Sequence, residues 1–287
     1  MAAMKKVLVP VDFSSASEHA MNFASEICKL TGGEVTLLHI LESPYSGFSV
    51  AGEMDLGSMQ MFYQGEFIRA VHDKLEDWRL RLEEGGTPVV AKMKEGHAFQ
   101  NISKTIAEVD ADLVVMGSNG ASGLKEIFVG SNAAKTVRHA KCPVIVIKQE
   151  THVEDLKSLV FATDTSHEQE SVVDEVKQIQ KLLDVNLHVL KVKTPYNWLK
   201  ESQMKAQLDH FSDRNEFEEY STSFIDADFV DEGALKFAEE QNAGMVLIGT
   251  HGRTGLGHLI GGSISESIVN ESKIPVMVMK LKEDTKQ

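Results

Sequence analysis

A glycine-containing loop occurs twice in this chain, and its repetition constrains the fold more than any other feature. Each copy has two glycines separated by two residues, then nine residues, then a Gly-Ser pair. The copies are Gly117, Gly120, Gly130 and Ser131 in the first half, and Gly249, Gly252, Gly262 and Ser263 in the second. Each copy follows an apolar run and leads through a helix-compatible stretch to a proline-led apolar run. The identical spacing predicts a duplicated domain in which a strand delivers glycines to the start of a helix.

The two copies align with one large difference in length. Asp12 and Asp164 are displaced by 152 positions, whereas Gly117 and Gly249 are displaced by 132, so the first copy contains twenty more residues. We assign them to residues 42–64, which are rich in Gly, Ser and Met, and expect a loop or lid that is partly helical at its end. The predicted domains are residues 1–150 and 151–287.

Both copies alternate continuous apolar runs with helix-compatible stretches, which in the first copy cover residues 15–31, 67–84 and 98–109. This alternation predicts an α/β fold made of two tandem doubly wound, mainly parallel five-stranded sheets with helices on both faces. Ligands of such sheets bind beyond the carboxyl ends of the strands, where the strand order reverses. We expect Asp12, Gly117 and their counterparts at such strand ends.

Composition argues against several classes of protein. The apolar content of 42% and the charged content of 25% are typical of a soluble globular protein, and no apolar run approaches the roughly 20 residues that span a membrane. A net charge of −14 disfavours a nucleic-acid partner or an anionic membrane surface, because phosphate contacts need clustered Lys and Arg. The chain leads directly into a strand, so we expect no signal peptide, and two distant cysteines predict reduced thiols in the cytoplasm.

The chemistry of the repeated loop suits a phosphate group. Gly117 would let a ligand approach the backbone, Gly120 would let the chain turn, and Gly130 with Ser131 would open a helix whose free N–H groups attract anions. Alternatively, the glycines only form a tight turn and Ser131 is only an N-cap. Because the same spacing occurs twice, we favour the phosphate-binding site over the tight turn. The P-loop pattern is absent, and the dinucleotide fingerprint G-x-G-x-x-G is missing after the first strands.

Three motifs together resemble the universal stress protein family in its tandem two-domain form. They are the opening run from Val7 to Ser14, the G-x2-G-x9-G-[ST] loop, and the closing strands that begin Cys-Pro-Val and Ile-Pro-Val. The resemblance covers nearly the whole chain. It implies a Rossmann-like fold of the adenine-nucleotide α-hydrolase type. The ATP-binding subgroup of the family further implies a site in each half for ATP or another adenine nucleotide such as AMP, which can bind together with Mg²⁺.

The same resemblance assigns site residues in each half by their position in the motifs. The aspartates would lie beside the ribose or a bound metal ion, the residues at the end of the second strand would contact adenine, and the glycine loop would hold the ribose and phosphates. In the first half the set is Pro10, Val11, Asp12, Ile40, Met116, Gly117, Gly120, Gly130, Ser131 and Asn132. In the second half it is Ala162, Thr163, Asp164, Val192, Ile248, Gly249, His251, Gly252, Arg253, Gly262, Ser263, Ile264 and Ser265.

Comparison with the family motifs predicts that the two sites differ in how well they hold phosphate. The family often has a histidine between the first two glycines and a hydroxyl residue in the helix start; His251 and Ser265 fit, whereas Asn119 and Ala133 do not. Conversely, Ala162 departs from the usual Pro-x-Asp opening. We therefore expect the second site to hold phosphate better than the first.

The sequence leaves three functions open. The first is a nucleotide-responsive regulatory protein of the stress response, the second a slow ATP-hydrolysing or phosphate-transferring enzyme, and the third a scaffold with empty sites. We predict no catalytic residues, because no nucleophile and base occur in a recognisable order, and no metal-ligand set, because the histidines and cysteines lack the required spacing. The resemblance also implies that the last strands of the two halves pair within the chain; homodimer formation stays open.

Overall fold

The architecture comes from a computed structural model that describes residues 4–42, 56–118, 130–197, 199–250 and 264–282. Side chains within residues 56–64 lie outside that description. The strands are β1 (Lys6–Val11), β2 (Glu34–Leu41), β3 (Val89–Glu95), β4 (Leu113–Gly117), β5 (Val144–Ile147), β6 (Ser158–Ala162), β7 (Asn186–Lys193), β8 (Tyr220–Asp226), β9 (Met245–Thr250) and β10 (Val276–Lys280). The helices are α1 (Ser15–Thr31), α2 (Leu56–Glu84), α3 (Ala98–Val109), α4 (Ser131–His139), α5 (Val173–Leu183), α6 (Glu201–Arg214), α7 (Val230–Glu240) and α8 (Ile264–Glu271).

The ten strands form one continuous sheet in the order β3-β2-β1-β4-β5-β10-β9-β6-β7-β8. Each half contributes five parallel strands, which confirms the predicted α/β arrangement. The halves meet where β5 and β10 pair antiparallel, with Ile145 opposite Met277. The last strands therefore join within the chain, and the sheet edges are β3 and β8.

Helices cover both faces of the sheet. One buried apolar cluster packs α1, α2, α5 and α6 against one face, and a second packs α3, α4, α7 and α8 against the other. Ser14 caps the start of α1, where its hydroxyl accepts a hydrogen bond from the Ser17 N–H at 3.2 Å, and Gly32 caps the end of the helix with φ of 64°. None of the helices in the described ranges has the length and apolarity that crossing a membrane requires.

Part of the insertion in the first half is helical. Helix α2 begins at Leu56, eleven residues before the predicted start at residue 67, so the second part of the insertion is helical, as expected for its end. Residues 43–55, where we expect a loop, lie outside the described residues. In the second half, a 3-10 helix at His167–Val172 precedes α5, where the first half has the regular start of α1.

Candidate functional site

A cavity of about 450 Å³ opens at the carboxyl ends of β1 and β4, where the strand order of the first half reverses. Two other cavities of about 440 and 470 Å³ are similar in size, so position rather than volume distinguishes this one. Nine of the ten site residues predicted for the first half line it: Pro10, Val11, Asp12, Ile40, Met116, Gly117, Gly130, Ser131 and Asn132. The tenth, Gly120, lies outside the described residues.

Six further residues line the cavity without having been predicted as ligand contacts: Ser17, Glu42, Ala98, Ile102, Ser118 and Ala133. Helix α3 supplies Ala98 and Ile102, and its first N–H, on Ala98, donates to the Glu42 carboxylate at 3.0 Å. The contribution of α3 to the cavity wall could have been predicted from the sequence, because a crossover helix that follows a parallel strand packs beside the strand ends. No motif in the sequence indicates the role of Glu42.

The carboxylate of Asp12 is held in place by the turn that starts α1. Its Oδ1 accepts hydrogen bonds from the Ser14 N–H at 3.1 Å and the Ser14 hydroxyl at 2.6 Å. Such a carboxylate can accept hydrogen bonds from sugar hydroxyls or coordinate Mg²⁺. Across the described ranges, no three His, Cys, Asp or Glu side chains are grouped as a metal site would require.

The start of α4 forms the opposite wall of the cavity. Gly130 is the N-cap of this helix, and its N–H donates to the Ser118 carbonyl at 2.7 Å, which fixes where the helix begins. The N–H groups of a first helical turn have no acceptor within the helix and carry the positive end of its dipole. Ser131, Asn132 and Ala133 present this turn to the cavity, so an anionic group could bind there.

The packing of α1 gives a reason for Gly117 that the sequence did not predict. A Cβ on Gly117 would lie 2.7 Å from the backbone carbon of Ala16 and 2.9 Å from its carbonyl oxygen. The first turn of α1, rather than a ligand, therefore fills the space that the missing side chain leaves. Gly249 is similar, since a Cβ there would lie 2.7 Å from both Gln169 Oε1 and Leu281 Cδ2. Close packing against protein atoms is therefore a reason for both glycines, and the expected approach of a ligand to the backbone at Gly117 stays a prediction.

The second half places part of its predicted site at the equivalent switch point between β6 and β9, where Ala162 pairs with Ile248. The described members of the set are Ala162, Thr163, Asp164, Val192, Ile248, Gly249, Ile264 and Ser265. The Ser265 hydroxyl donates to Thr250 Oγ1 at 3.3 Å. His251, Gly252, Arg253, Gly262 and Ser263 lie outside the described residues, so the expectation that the second site holds phosphate better stays a prediction.

A different side chain supports the aspartate turn in each half. In the first, His39 Nδ1 lies 2.8 Å from the Val11 carbonyl oxygen, and its ring stacks on Phe13 with 4.6 Å between centroids. Burial lowers the pKa of His39, and the hydrogen bond to Val11 and the charge of Asp12 oppose this shift only in part. In the second half, Lys191 takes the equivalent position and donates to the Asp164 carbonyl oxygen at 2.7 Å.

The lowered pKa of His39 predicts a pH-dependent loss of stability. As pH falls from about 7.5 to about 5, the imidazole of His39 takes up a proton in the unfolded state before it does so in the folded state. Protonation therefore stabilises the unfolded state relative to the folded state. The free energy of unfolding should therefore fall more steeply in wild type than in His39→Gln, and the loss should be complete below the folded-state pKa. Urea denaturation across this pH range measures both slopes. Equal slopes would show that His39 is not the source.

Comparisons with known proteins agree with this architecture. The profile of the universal stress protein family matches residues 4–148 and 156–280. Universal stress protein MJ0531 of Methanocaldococcus jannaschii is 32% identical over 147 residues, which cover 50% of this chain and 82% of that protein. Universal stress protein MJ0577 of the same organism is 29% identical over 154 residues, covering 50% of this chain and 95% of that protein.

A solved structure extends the likeness to the full length. The crystal structure of a universal stress protein from Archaeoglobus fulgidus covers 97% of this chain and 97% of its own, with a TM-score of 0.74 at 22% identity, so the two share a fold. The family profile matches each half separately, and the two matches together span most of the sequence. The chain therefore belongs to the universal stress protein family and carries two copies of its domain in tandem.

Proposed function

We propose that this protein binds an adenine nucleotide, ATP or AMP, in the cavity between β1 and β4 and acts as a nucleotide-responsive regulator of the stress response. One observation carries the proposal: nine residues assigned from sequence motifs line a single cavity at the switch point of the sheet. The resemblance to the ATP-binding subgroup supports the choice of nucleotide. We extend the proposal to the second half, where Asp164 and Gly249 occupy equivalent strand ends.

The lining of the cavity offers each kind of contact that a nucleotide requires. Ile40, Met116 and Ile102 offer apolar surface for a planar base. Asp12 offers a fixed carboxylate for ribose hydroxyls or for Mg²⁺ accompanying the phosphates. The first turn of α4 offers N–H groups and the Ser131 hydroxyl for phosphate oxygens. A negative chain with net charge −14 needs such local donors to hold an anion.

Regulation is favoured over catalysis by what the described residues offer. The cavity contains groups that bind, and the described part of its lining holds no cysteine or histidine that could serve as a nucleophile or base. Burial raises the pKa of the Cys28 and Cys142 thiols to about 12, which suppresses their reactivity. Slow ATP hydrolysis near Asp12 or Asp164 is the alternative, and a turnover above about 1 s⁻¹ would favour it.

Nucleotide released from heat-denatured purified protein, identified by mass and chromatography, tests the proposal directly. We then expect Asp12→Asn to weaken ATP or AMP binding at the first site by at least about tenfold, because a hydrogen bond to a charged group contributes about 1.5–3 kcal/mol. Isothermal titration calorimetry gives the affinity and the number of sites. Asp164→Asn is the matched variant and should affect only the second site.

Two results would contradict the proposal. The first is that no nucleotide copurifies and that ATP, ADP and AMP give no heat of binding. The protein would then be better described as a scaffold with empty sites. Binding that Asp12→Asn and Asp164→Asn both leave unchanged would show that nucleotide occupies some other part of the protein. Lys181→Gln, a substitution on α5 and outside both switch points, should leave the affinity unchanged and serves as a control for general charge effects.

A further inference from the structure

A second cavity, of about 470 Å³, lies in the second half on the opposite face of the sheet from the nucleotide cavity. Its walls come from the turn after β6, from Lys191 on β7, and from α6. Helix α6 packs on the face that carries α1, α2 and α5, whereas the α3 wall of the nucleotide cavity lies on the other face. This volume is in the range of small-molecule sites.

Alignment of the two halves indicates what leaves this cavity open in the second half. In the first half, the Phe13 ring occupies the space, stacked on His39 and in edge contact with Trp78 at 5.2 Å between centroids. Lys74 Nζ lies 4.8 Å above the same ring. The second half has Thr165 at the position of Phe13, with the same φ of 64°. The shorter side chain leaves the space open beside Lys191.

Lys191 is a buried cation at the wall of this cavity. It is 6% exposed, and its ammonium donates to the Asp164 carbonyl oxygen, to Thr165 Oγ1 at 2.8 Å and to Gln207 Oε1 at 2.7 Å. All three acceptors are uncharged, and within the described ranges Lys191 takes part in no salt bridge. Buried charges in proteins are normally paired with an opposite charge. Burial also lowers the pKa of Lys191, and the nearby charge of Asp164 opposes this only in part.

Other polar groups around the cavity can complete an anion site. Arg214 lines it and pairs with Glu170, which engages only some of the five guanidinium donors. His167 and His210 add imidazoles at the exposed rim. Leu199 and the buried Phe211 offer apolar surface. Among the described lining residues, Asp164 carries the one carboxylate, whose Oδ1 accepts a hydrogen bond from the Ser166 N–H at 2.9 Å.

We infer that this cavity binds a small organic oxyanion, a phosphate or carboxylate compound, that serves as the counter-ion of Lys191. Gln207 is exposed, so its carboxamide can move aside and the oxyanion can accept from Lys191 in its place. Arg214 then donates to the remaining oxygens, and the apolar part of the ligand contacts Leu199. This site is separate from the nucleotide cavity of the first half and shares Asp164 with the nucleotide site proposed for the second half. It does not depend on the proposed nucleotide function.

Amide chemical-shift mapping of the full chain tests the inference with inorganic phosphate, glycerol 3-phosphate and succinate as probes. We expect shifts at residues 164–167, 191 and 207, with saturation at a dissociation constant below about 1 mM for at least one organic anion. Thr165→Phe should abolish these shifts, because it restores the filling that Phe13 provides, at a backbone conformation that Phe13 already adopts. Lys191→Met should weaken binding at least about tenfold.

Gln207→Ala is the matched control, because it removes a competing acceptor from α6 without removing a cation. It should bind the anion at least as tightly as wild type. Shifts confined to residues 130–133 would mean that the probe binds only the nucleotide cavity, and this would overturn the inference. So would unchanged affinity in Lys191→Met and Thr165→Phe. ATP or AMP titrated separately reports on residues 130–133 in the first half and on residues 264 and 265 in the second, so failure of the nucleotide proposal would be seen independently of this one.

Discussion

Gly117→Ala is expected to lower the free energy of unfolding by about 2 kcal/mol and to weaken nucleotide binding in the first half. The added methyl group would lie 2.7 Å from the backbone carbon of Ala16 and 2.9 Å from its Cβ, closer than packed atoms allow. Overpacking of this kind typically costs about 1–3 kcal/mol. Because the neighbour is backbone in the first turn of α1, the turn must shift, and Asp12 would shift with it through its bonds to Ser14.

Gly65→Ala gives the matched control, since it makes the same substitution in α2. Among the described residues, no atom outside the backbone of α2 lies within 4 Å of a Cβ built on Gly65. The change should therefore raise the free energy of unfolding by about 0.5–1 kcal/mol through helix propensity. Urea denaturation and calorimetric titration with ATP measure both effects. If Gly117→Ala matched Gly65→Ala in stability and kept wild-type affinity, close packing against α1 would not be the reason for this glycine.

The repeated spacing was sufficient to predict most of the fold. The bounds of α1 and α3 agree with the predicted residues 15–31 and 98–109. In both helices the apolar residues recur with helical periodicity up to the positions where the sequence signals that the helix ends. The position of the candidate site also followed from the sequence, since strand ends at a reversal of strand order meet at one place. The reason for Gly117 did not follow, because sequence spacing does not show which neighbour faces a missing side chain.

The anion cavity could not be predicted from the sequence. The alignment of the halves places Thr165 opposite Phe13 and Lys191 opposite His39, but it does not show what surrounds either pair in the fold. Their effect depends on α6, which brings Gln207 to Lys191, whereas α2 brings Lys74 over Phe13. Such contacts join residues on different elements, so no local pattern reports them. Likewise, the 3-10 helix at His167–Val172 lies where the first half has the regular start of α1, and the sequence contains no clear helix breaker there.

Ile145→Asp is expected to cause the largest loss of stability, at least about 4 kcal/mol of the free energy of unfolding. Ile145 is 0% exposed, pairs with Val115 on one side and lies opposite Met277 across the junction of the two halves. A carboxylate there would be buried without a counter-charge or hydrogen-bond donors, which is among the costliest single changes in a protein. The same substitution would also weaken the antiparallel pairing of β5 with β10 that joins the halves.

Val90→Asp provides the comparison, because it introduces the same carboxylate into a strand at the edge of the sheet. Val90 is 43% exposed on β3, so its replacement should cost less than about 1 kcal/mol. Circular dichroism during urea denaturation gives both values. A small loss for Ile145→Asp would mean that water reaches the junction and that the two halves associate less closely than the continuous sheet implies. A loss several-fold larger than that of Val90→Asp would show that the buried junction between β5 and β10 stabilises the tandem arrangement.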